Sequence, residues 1–273
     1  MAFSQNEQLA QIKALYRYTS LIRHVEGHDL AHDDDMVLLA SPVGSRFFSA
    51  KTEQYDSLMA TAGGKEKYKE LLSYAARNAL IIENGGITFD RNKVDLPSMG
   101  EKFQVTRPDN SAELIVVDNA AQEDFKYIVP VSDLEWTIGN SIKSVLGYEC
   151  NIATANYHGR KWTVWFTTDI PISSGPWQLM GLPGLIMEAE TDGGEYKFEI
   201  IGLETTSGVI NPRPGSHNYT DTTRKEFRKL QRDIQYNPGK AYPDGSVTFV
   251  NMEESIKAKT AHDLIETDYK KKK

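Results

Sequence analysis

Hydrophobic and polar side chains alternate along most of this chain, which is the pattern of strands with one buried face. In the first such segment, 14–24, Tyr16, Tyr18 and Ile22 share one face. Further apolar or alternating segments recur at 36–39, 46–49, 114–117, 125–129, 144–155, 161–168, 185–191, 195–203 and 247–250. Short strands in close succession favour antiparallel pairing, because parallel neighbours need long crossover connections.

Turn signals separate several of these segments. Asp192-Gly193-Gly194 lies between 185–191 and 195–203, and Gly and Asp suit the positive-φ positions of tight hairpins. His158-Gly159 stands in the same relation to 144–155 and 161–168. The sequence therefore predicts two antiparallel hairpins in this region.

Two segments have helical spacing instead. In 65–80, apolar side chains recur every three or four residues: Tyr68, Leu71, Leu72, Ala75, Ala76 and Leu80. A basic amphipathic helix is predicted over 220–234, with Thr220 and Asp221 as its N-cap. The predicted fold is α+β and mainly antiparallel β: a curved sheet, an open barrel or a sandwich, with a few packed helices.

Composition excludes some classes of protein. The 273 residues carry a formal charge of −7, which argues against nucleic-acid binding, because phosphate contacts need clustered cations. No apolar run reaches the roughly 18 residues of a transmembrane helix. Cys150 is the single cysteine and lies among apolar neighbours, so we expect a buried thiol with a raised pKa.

The chain divides into three parts by composition. We expect a flexible N-terminus over 1–12, a single β-rich domain over 13–250 and a charged C-terminal tail over 251–273. Ala2-Phe3-Ser4 has the small residues, two apart, that precede a signal-peptidase cut, so 1–12 can be a signal-peptide remnant or a native cytoplasmic start.

The segment 171–186 breaks the alternation and reads as a long loop. Its turn-forming residues are Gly175, Pro176, Pro183 and Gly184. It contains no titratable side chain, which makes it a poor active site. We expect either a plug, with Trp177 and Leu182 packed over one end of the sheet, or a recognition ridge that presents Trp177 to a partner.

Two neighbouring residues are further candidates for binding. Trp165 lies on the opposite strand face from Trp162 and Phe166, where it could line a groove or pack against a second surface. Arg160 follows the predicted turn and could pair with Glu149 or bind an anionic ligand.

His24, His28 and His32 recur at four-residue spacing. On a helix their imidazoles would line one face and could bind zinc. Gly27 interrupts such a helix, so we expect a polar hairpin loop instead and predict no metal site. Motifs for phosphate, dinucleotide or nucleophilic chemistry are also missing from the sequence, and we predict no cofactor.

The stretch 134–204 carries a run of motifs in a fixed order: Trp136, Gly147-Tyr148-Glu149-Cys150, Gly159-Arg160-Lys161-Trp162, Val164-Trp165-Phe166-Thr167, Ile170-Pro171-Ile172 and the hexapeptide Gly181-Leu182-Pro183-Gly184-Leu185-Ile186. This signature core resembles the GLPGLI family, named for that hexapeptide. The resemblance implies an exported protein of Gram-negative bacteria with a signal peptide, encoded beside TonB-dependent outer-membrane transporters, and no assigned chemistry. The expected location is the periplasm or the cell surface.

Three functions remain open from the sequence. The first is a non-enzymatic exported binding or assembly protein that serves an outer-membrane transporter or its peptide substrate. The second is an exported hydrolase or peptidase that uses carboxylates or the histidines. The third is a carrier of an apolar ligand inside a curved sheet. The missing catalytic motif favours the first.

Overall fold

The computed structural model describes residues 8–25, 28–83, 86–90, 93–210, 214–215, 217–242 and 263–268. Within these ranges the strands are β1 Ile12–Val25, β2 His28–Ala40, β3 Ser45–Ser49, β4 Leu80–Glu83, β5 Gly86–Phe89, β6 Gln104–Arg107, β7 Glu113–Ala120, β8 Glu123–Pro130, β9 Thr137–Val145, β10 Tyr148–Tyr157, β11 Arg160–Thr167, β12 Leu185–Thr191, β13 Tyr196–Thr205 and β14 Tyr219–Asp221. The helices are α1 Ala50–Met59, α2 Ala62–Asn78 and α3 Arg224–Tyr236, with 3₁₀ turns at Val131–Asp133 and Pro238–Ala241.

Twelve of these strands form one sheet in the order β14-β8-β7-β6-β3-β2-β1-β13-β12-β11-β10-β9. Neighbours are antiparallel except β14, which runs parallel to β8, and β4 with β5 forms a separate hairpin. The sheet is open, with β14 and β9 as its edges. The predicted fold class, mainly antiparallel with a few helices, is confirmed, and among its listed forms the open sheet is the one observed.

Aromatic side chains fill one face of the central strands. Tyr18 on β1 stacks on Phe198 of β13, with ring centroids 4.9 Å apart. Phe198 also stacks on Trp162 of β11. The ring centroid of Trp162 lies 5.4 Å from that of Trp177. Such contacts between large buried rings stabilise a core beyond the area they remove from water. This part of the interior is filled with side chains.

The boundaries of two predicted elements are wrong. The predicted strand 144–155 is two strands, β9 and β10, because Leu146 and Gly147 adopt positive φ and reverse the chain between them. The predicted cap of the second helix, Thr220-Asp221, belongs to β14.

Helix α3 begins instead at Arg224, after a capping box. The hydroxyl of Thr223 accepts from the backbone N–H of Glu226, and the Glu226 carboxylate accepts from the N–H of Thr223. The other predicted helix is confirmed as α2, although Ala75 is its one buried residue among those described. The predicted strand 247–250 lies outside the described residues.

The C-terminal residues 263–268 pack against the domain, and Glu266 among them is fully buried. Helix α3 contacts β8, and this segment, which is bound to α3, contacts the β10–β11 turn. Strand β8 and the β10–β11 turn are far apart in the strand order. The sheet therefore curls around them. None of the described helices combines the length and apolar character needed to cross a bilayer.

Candidate functional site

The loop 171–186 is packed into the core. Its buried apolar side chains are Ile172, Trp177, Leu179, Met180, Leu182, Leu185 and Ile186. Trp177 is only 2% exposed and lies against Trp162 and Tyr157. The loop is therefore the expected plug, and Trp177 is not presented to solvent, contrary to the recognition-ridge interpretation.

Two glycines let the loop pass close to its surroundings. A Cβ on Gly184 would lie 1.9 Å from the carbonyl oxygen of Thr167, and one on Gly175 would lie 2.7 Å from the Cβ of Ile186. Both distances are shorter than van der Waals contact allows, so a larger residue would push the loop off the sheet. Pro176 beside them is also buried, whereas Pro183 is exposed.

Trp165 lies half-buried on the opposite face of the sheet. The ammonium group of Lys143 sits 4.6 Å from its ring centroid and also pairs with Glu188. A cation over an aromatic face is a favourable contact. Lys143 therefore already occupies one face of the Trp165 ring.

Arg160 does not pair with Glu149, so that prediction is wrong. In the register of β10 with β11, Arg160 lies opposite Tyr157, at the turn end of the hairpin and far along the strand from Glu149. Its Nη1 is 3.1 Å from the carboxylate of Glu195, and its guanidinium lies 4.8 Å from the ring centroid of Tyr196.

The remaining donors of Arg160 bind the backbone of the C-terminal segment. Nη2 donates to the carbonyl oxygens of Asp263 and Leu264, at 3.1 and 2.9 Å, and Nε donates to that of Leu264 at 3.2 Å. The Tyr196 hydroxyl donates to the Asp263 carbonyl at 2.8 Å. One end of the segment is thus bound through its main-chain carbonyl groups.

The other end is held by the β10–β11 turn. The backbone N–H of Thr267 donates to the carbonyl of His158, and its hydroxyl donates to that of Gly159, both at 2.9 Å. Gly159 has a φ of +83°, and a Cβ there would lie 2.4 Å from the Thr267 hydroxyl. Glycine is therefore required both by the turn and by the approach of the segment.

Between these ends, the carboxylate of Glu266 accepts three side-chain hydrogen bonds. The donors are Arg228 Nη2 at 2.5 Å, Arg224 Nε at 2.6 Å and Gln178 Nε2 at 3.1 Å. Burial alone would raise the pKa of Glu266, but Arg228, His158 and Arg224 outweigh it and lower the pKa to about 2. Glu266 is therefore an ionised, fully paired carboxylate in the interior.

We call the residues that hold this segment the cradle: His158, Gly159, Arg160, Gln178, Tyr196, Arg224 and Arg228. The sequence predicts Arg160 as a binding residue but does not mark the rest of the cradle as a site. The available signal was the four-residue spacing of Arg224 and Arg228, which places both on one face of the predicted basic helix. Their partner Glu266 lies in the segment that composition marks as a charged tail.

The cradle and the segment it holds together form a group with metal-like spacing. One ligand atom each from His158, Glu266 and Asp268 lie within 4.8 Å of one another. Both carboxylates already bind arginine, since Arg224 Nη2 is 2.5 Å from each Asp268 oxygen. Burial lowers the pKa of His158, whose Nε2 lies 3.1 Å from the Gln178 side-chain oxygen. The arrangement is an ion-pair network in which a metal ion would have to compete with two guanidinium groups.

The three sequence-predicted histidines lie on strands, so the expected polar loop is wrong. His24 is on β1, and His28 and His32 are on β2, because the alternating pattern continues through paired strand ends. The ring of His32 lies 3.2 Å from the carboxylate of Glu101, and that hydrogen bond raises the pKa of His32.

A cavity of about 300 Å³ opens beside the cradle, lined in part by Tyr18, Phe103 and Arg228. Asp118 also lines it, and burial raises the pKa of Asp118 to about 6 although Arg228 opposes the shift. Its carboxylate accepts from Gln231 Nε2 at 3.2 Å and lies 3.5 Å from Arg228. Asp118 therefore supports the same arginine that binds Glu266.

Comparison with solved structures shows limited similarity. Six chains match, among them those described as "Structure of PNGF-II in P21 space group" and "Structure of PNGF-II in C2 space group", both 14% identical to this chain. Their TM-scores are 0.49 and 0.46, with 83% of this chain covered in each case. The chain spans about a third of their length, 34% and 33% respectively.

No curated protein matches the chain. The model of one family, described as "Protein of unknown function (Porph_ging)", matches residues 156–188. That stretch supplies the His158-Gly159 turn, Arg160 and Gln178 of the cradle, together with the buried loop, whereas Tyr196, Arg224 and Arg228 lie outside it.

Proposed function

We propose that this chain is a GLPGLI-type, exported, non-enzymatic binding protein whose cradle takes an extended polypeptide segment of a cell-envelope partner. The partner we propose is a TonB-dependent outer-membrane transporter or its peptide substrate, in the periplasm or at the cell surface. The family match over 156–188 and the motif order of 134–204 support the family part of this proposal.

One observation carries the binding part: the cradle already holds a polypeptide segment, residues 263–268, through its main chain. Arg160 and Tyr196 bind consecutive carbonyl groups of that segment, and the His158 carbonyl binds an amide beyond them. Main-chain hydrogen bonds of this kind give affinity for a polypeptide, while a side-chain pocket gives specificity. The Glu266 site is such a pocket.

The chemistry of the described residues supports a non-enzymatic role. The Cys150 thiol is buried, and burial raises its pKa to about 11, so it is a poor nucleophile. The carboxylates of Glu266 and Asp268 are bound by Arg224. Catalytic acids and bases need free access to a substrate proton, which these groups lack.

Affinity capture from mildly solubilised cell envelopes tests the proposal. The bait is the tagged full chain, with Arg160→Gln as the test variant and Lys161→Gln as its matched control. The two positions are adjacent and lose the same charge, but Arg160 is buried in the cradle while Lys161 is exposed. Circular dichroism and thermal unfolding establish that each variant is folded.

We expect the wild type and Lys161→Gln to recover an outer-membrane transporter or a peptide-bearing partner, and Arg160→Gln to lose it. Recovery of the same partner at equal yield by both variants would sink the cradle as the binding site. Failure of both the wild type and Asp268→Asn, which weakens the contacts of residues 263–268, to recover any envelope protein would sink the proposed function.

A further inference from the structure

We infer that the cradle is selective for acidic segments of the pattern hydrophobic–Glu–x–Asp, and that residues 263–268 occupy it as a built-in competitor. This inference rests on the proposed function and specifies the chemistry of its partner. In this chain the pattern is Ile265-Glu266-Thr267-Asp268.

The Glu266 position supplies most of the selectivity. The Arg228 side chain is 4% exposed and donates to Glu266, and Arg224 and Gln178 converge on the same carboxylate. A neutral side chain here would leave a buried guanidinium short of its counter-charge, which is the costly state for an ion pair removed from water. A basic side chain would add like-charge repulsion.

The flanking positions extend the pattern. Both oxygens of Asp268 face Arg224 Nη2, but Asp268 is 38% exposed, so water weakens this pair and makes it the less selective of the two. Ile265 packs against the hydrophobic core. Thr267 is bound through its backbone N–H and its hydroxyl, so a residue without a hydroxyl could keep the main-chain contact.

The chain's own segment fills the cradle, so a partner peptide must displace it in order to bind. A tethered segment competes at a high effective concentration, typically about millimolar for a short linker. A partner peptide therefore binds the wild-type protein weakly, and binds better when the contacts of residues 263–268 are weakened while the cradle is unchanged.

The experiment uses the full chain and a fluorescein-labelled synthetic peptide that copies residues 260–269. A matched peptide has Gln in place of the residue equivalent to Glu266. Fluorescence anisotropy measures both peptides against the wild type, Asp268→Asn and Glu266→Gln. Asp268→Asn alters an exposed position and keeps the buried carboxylate, so it remains informative where Glu266→Gln does not fold.

We expect Asp268→Asn to bind the Glu peptide several-fold more tightly than the wild type does. We expect it to prefer the Glu peptide over the Gln peptide by at least about tenfold, which corresponds to about 1.4 kcal/mol. Folded Glu266→Gln should bind both peptides more tightly than the wild type does, with the same preference for the Glu peptide, because its weakened segment competes equally with either peptide.

Equal affinity of folded Asp268→Asn for the two peptides would overturn the acidic selectivity, and so would the absence of binding at millimolar peptide. These results are distinct from the capture experiment. If partner capture depends on Arg160 while the peptides are not discriminated, the binding function stands and this inference fails.

Discussion

Glu266→Gln should destabilise the protein by about 3 kcal/mol near neutral pH. The pKa of Glu266 falls from 4.5 to about 2 on folding, and a difference of about 2.5 pKa units at 1.36 kcal/mol each gives about 3 kcal/mol. An independent expectation agrees with this value, since removing one partner of a buried ion pair typically costs about 3–5 kcal/mol. Arg228 retains Asp118 at 3.5 Å, which places the cost at the lower end.

The pH dependence gives the prediction its sign. A carboxyl group whose pKa is lowered on folding stabilises the native state above its unfolded pKa, and this contribution is lost as the pH falls through the folded value. The difference between wild type and Glu266→Gln should therefore be fully present above about pH 5. It should shrink to about 1.4 kcal/mol near pH 3. At that pH the carboxyl group is mostly protonated in the unfolded chain but still mostly ionised in the folded protein.

Urea unfolding from pH 7 down to pH 3, followed by tryptophan fluorescence, measures this difference. Glu204→Gln is the control, because Glu204 is 61% exposed and pairs with Lys13 at the surface, where ion pairs contribute about 0–1 kcal/mol. A loss of less than about 1 kcal/mol for Glu266→Gln at pH 7 would refute the reasoning. So would a difference that stays constant with pH.

Two further pairs of substitutions, each a test variant with its control, examine the cradle and the loop. Gly159→Ala and Gly147→Ala place a side chain at almost the same backbone angle, φ +83° and +85°, but a Cβ meets Thr267 at 2.4 Å in the first and nothing within 4 Å in the second. Both should cost about 1–2 kcal/mol of backbone strain. Gly159→Ala should cost at least about 1 kcal/mol more in unfolding free energy and make residues 263–268 easier to cleave in limited proteolysis. Equal losses and equal cleavage for the two variants would contradict the contact between Gly159 and Thr267. Trp177→Ala should cost about 3–5 kcal/mol, as expected for a fully buried aromatic residue, whereas half-buried Trp165→Ala should cost clearly less. Thermal unfolding compares the two, and a larger loss for Trp165→Ala would show that the loop is not the plug described here.

Local patterns carried much of the strand prediction. Alternation identified β1, β11, β12 and β13, because one face of each strand is buried and the side-chain period of two follows from backbone geometry alone. The Asp192-Gly193-Gly194 turn was equally readable, since its conformation depends on a few adjacent residues. The loop 171–186 combines turn residues with large apolar side chains and no charge, which predicted either a plug or a recognition ridge, and the burial of Trp177 distinguishes the two.

The cradle could not be read from the sequence in this way. Glu266 is 42 residues from Arg224 and 38 from Arg228 along the chain, and ion pairs have no periodicity that would mark them at such a separation. Charge in 251–273 therefore indicated a solvated tail, although Glu266 is buried. The partner of Arg160 was missed for a related reason: strand register placed it at the turn end of the hairpin, opposite Tyr157.

The sequence by itself determined β1, β11, β12 and β13, the turns at His158-Gly159 and Asp192-Gly193-Gly194, and that the signature loop is apolar, because these depend on neighbours within a few residues. Only the tertiary structure decided that the loop, the β10–β11 turn and α3 converge on residues 263–268. The physical reason is that burying a carboxylate becomes favourable only when donors from distant segments surround it, and folding alone brings those donors together.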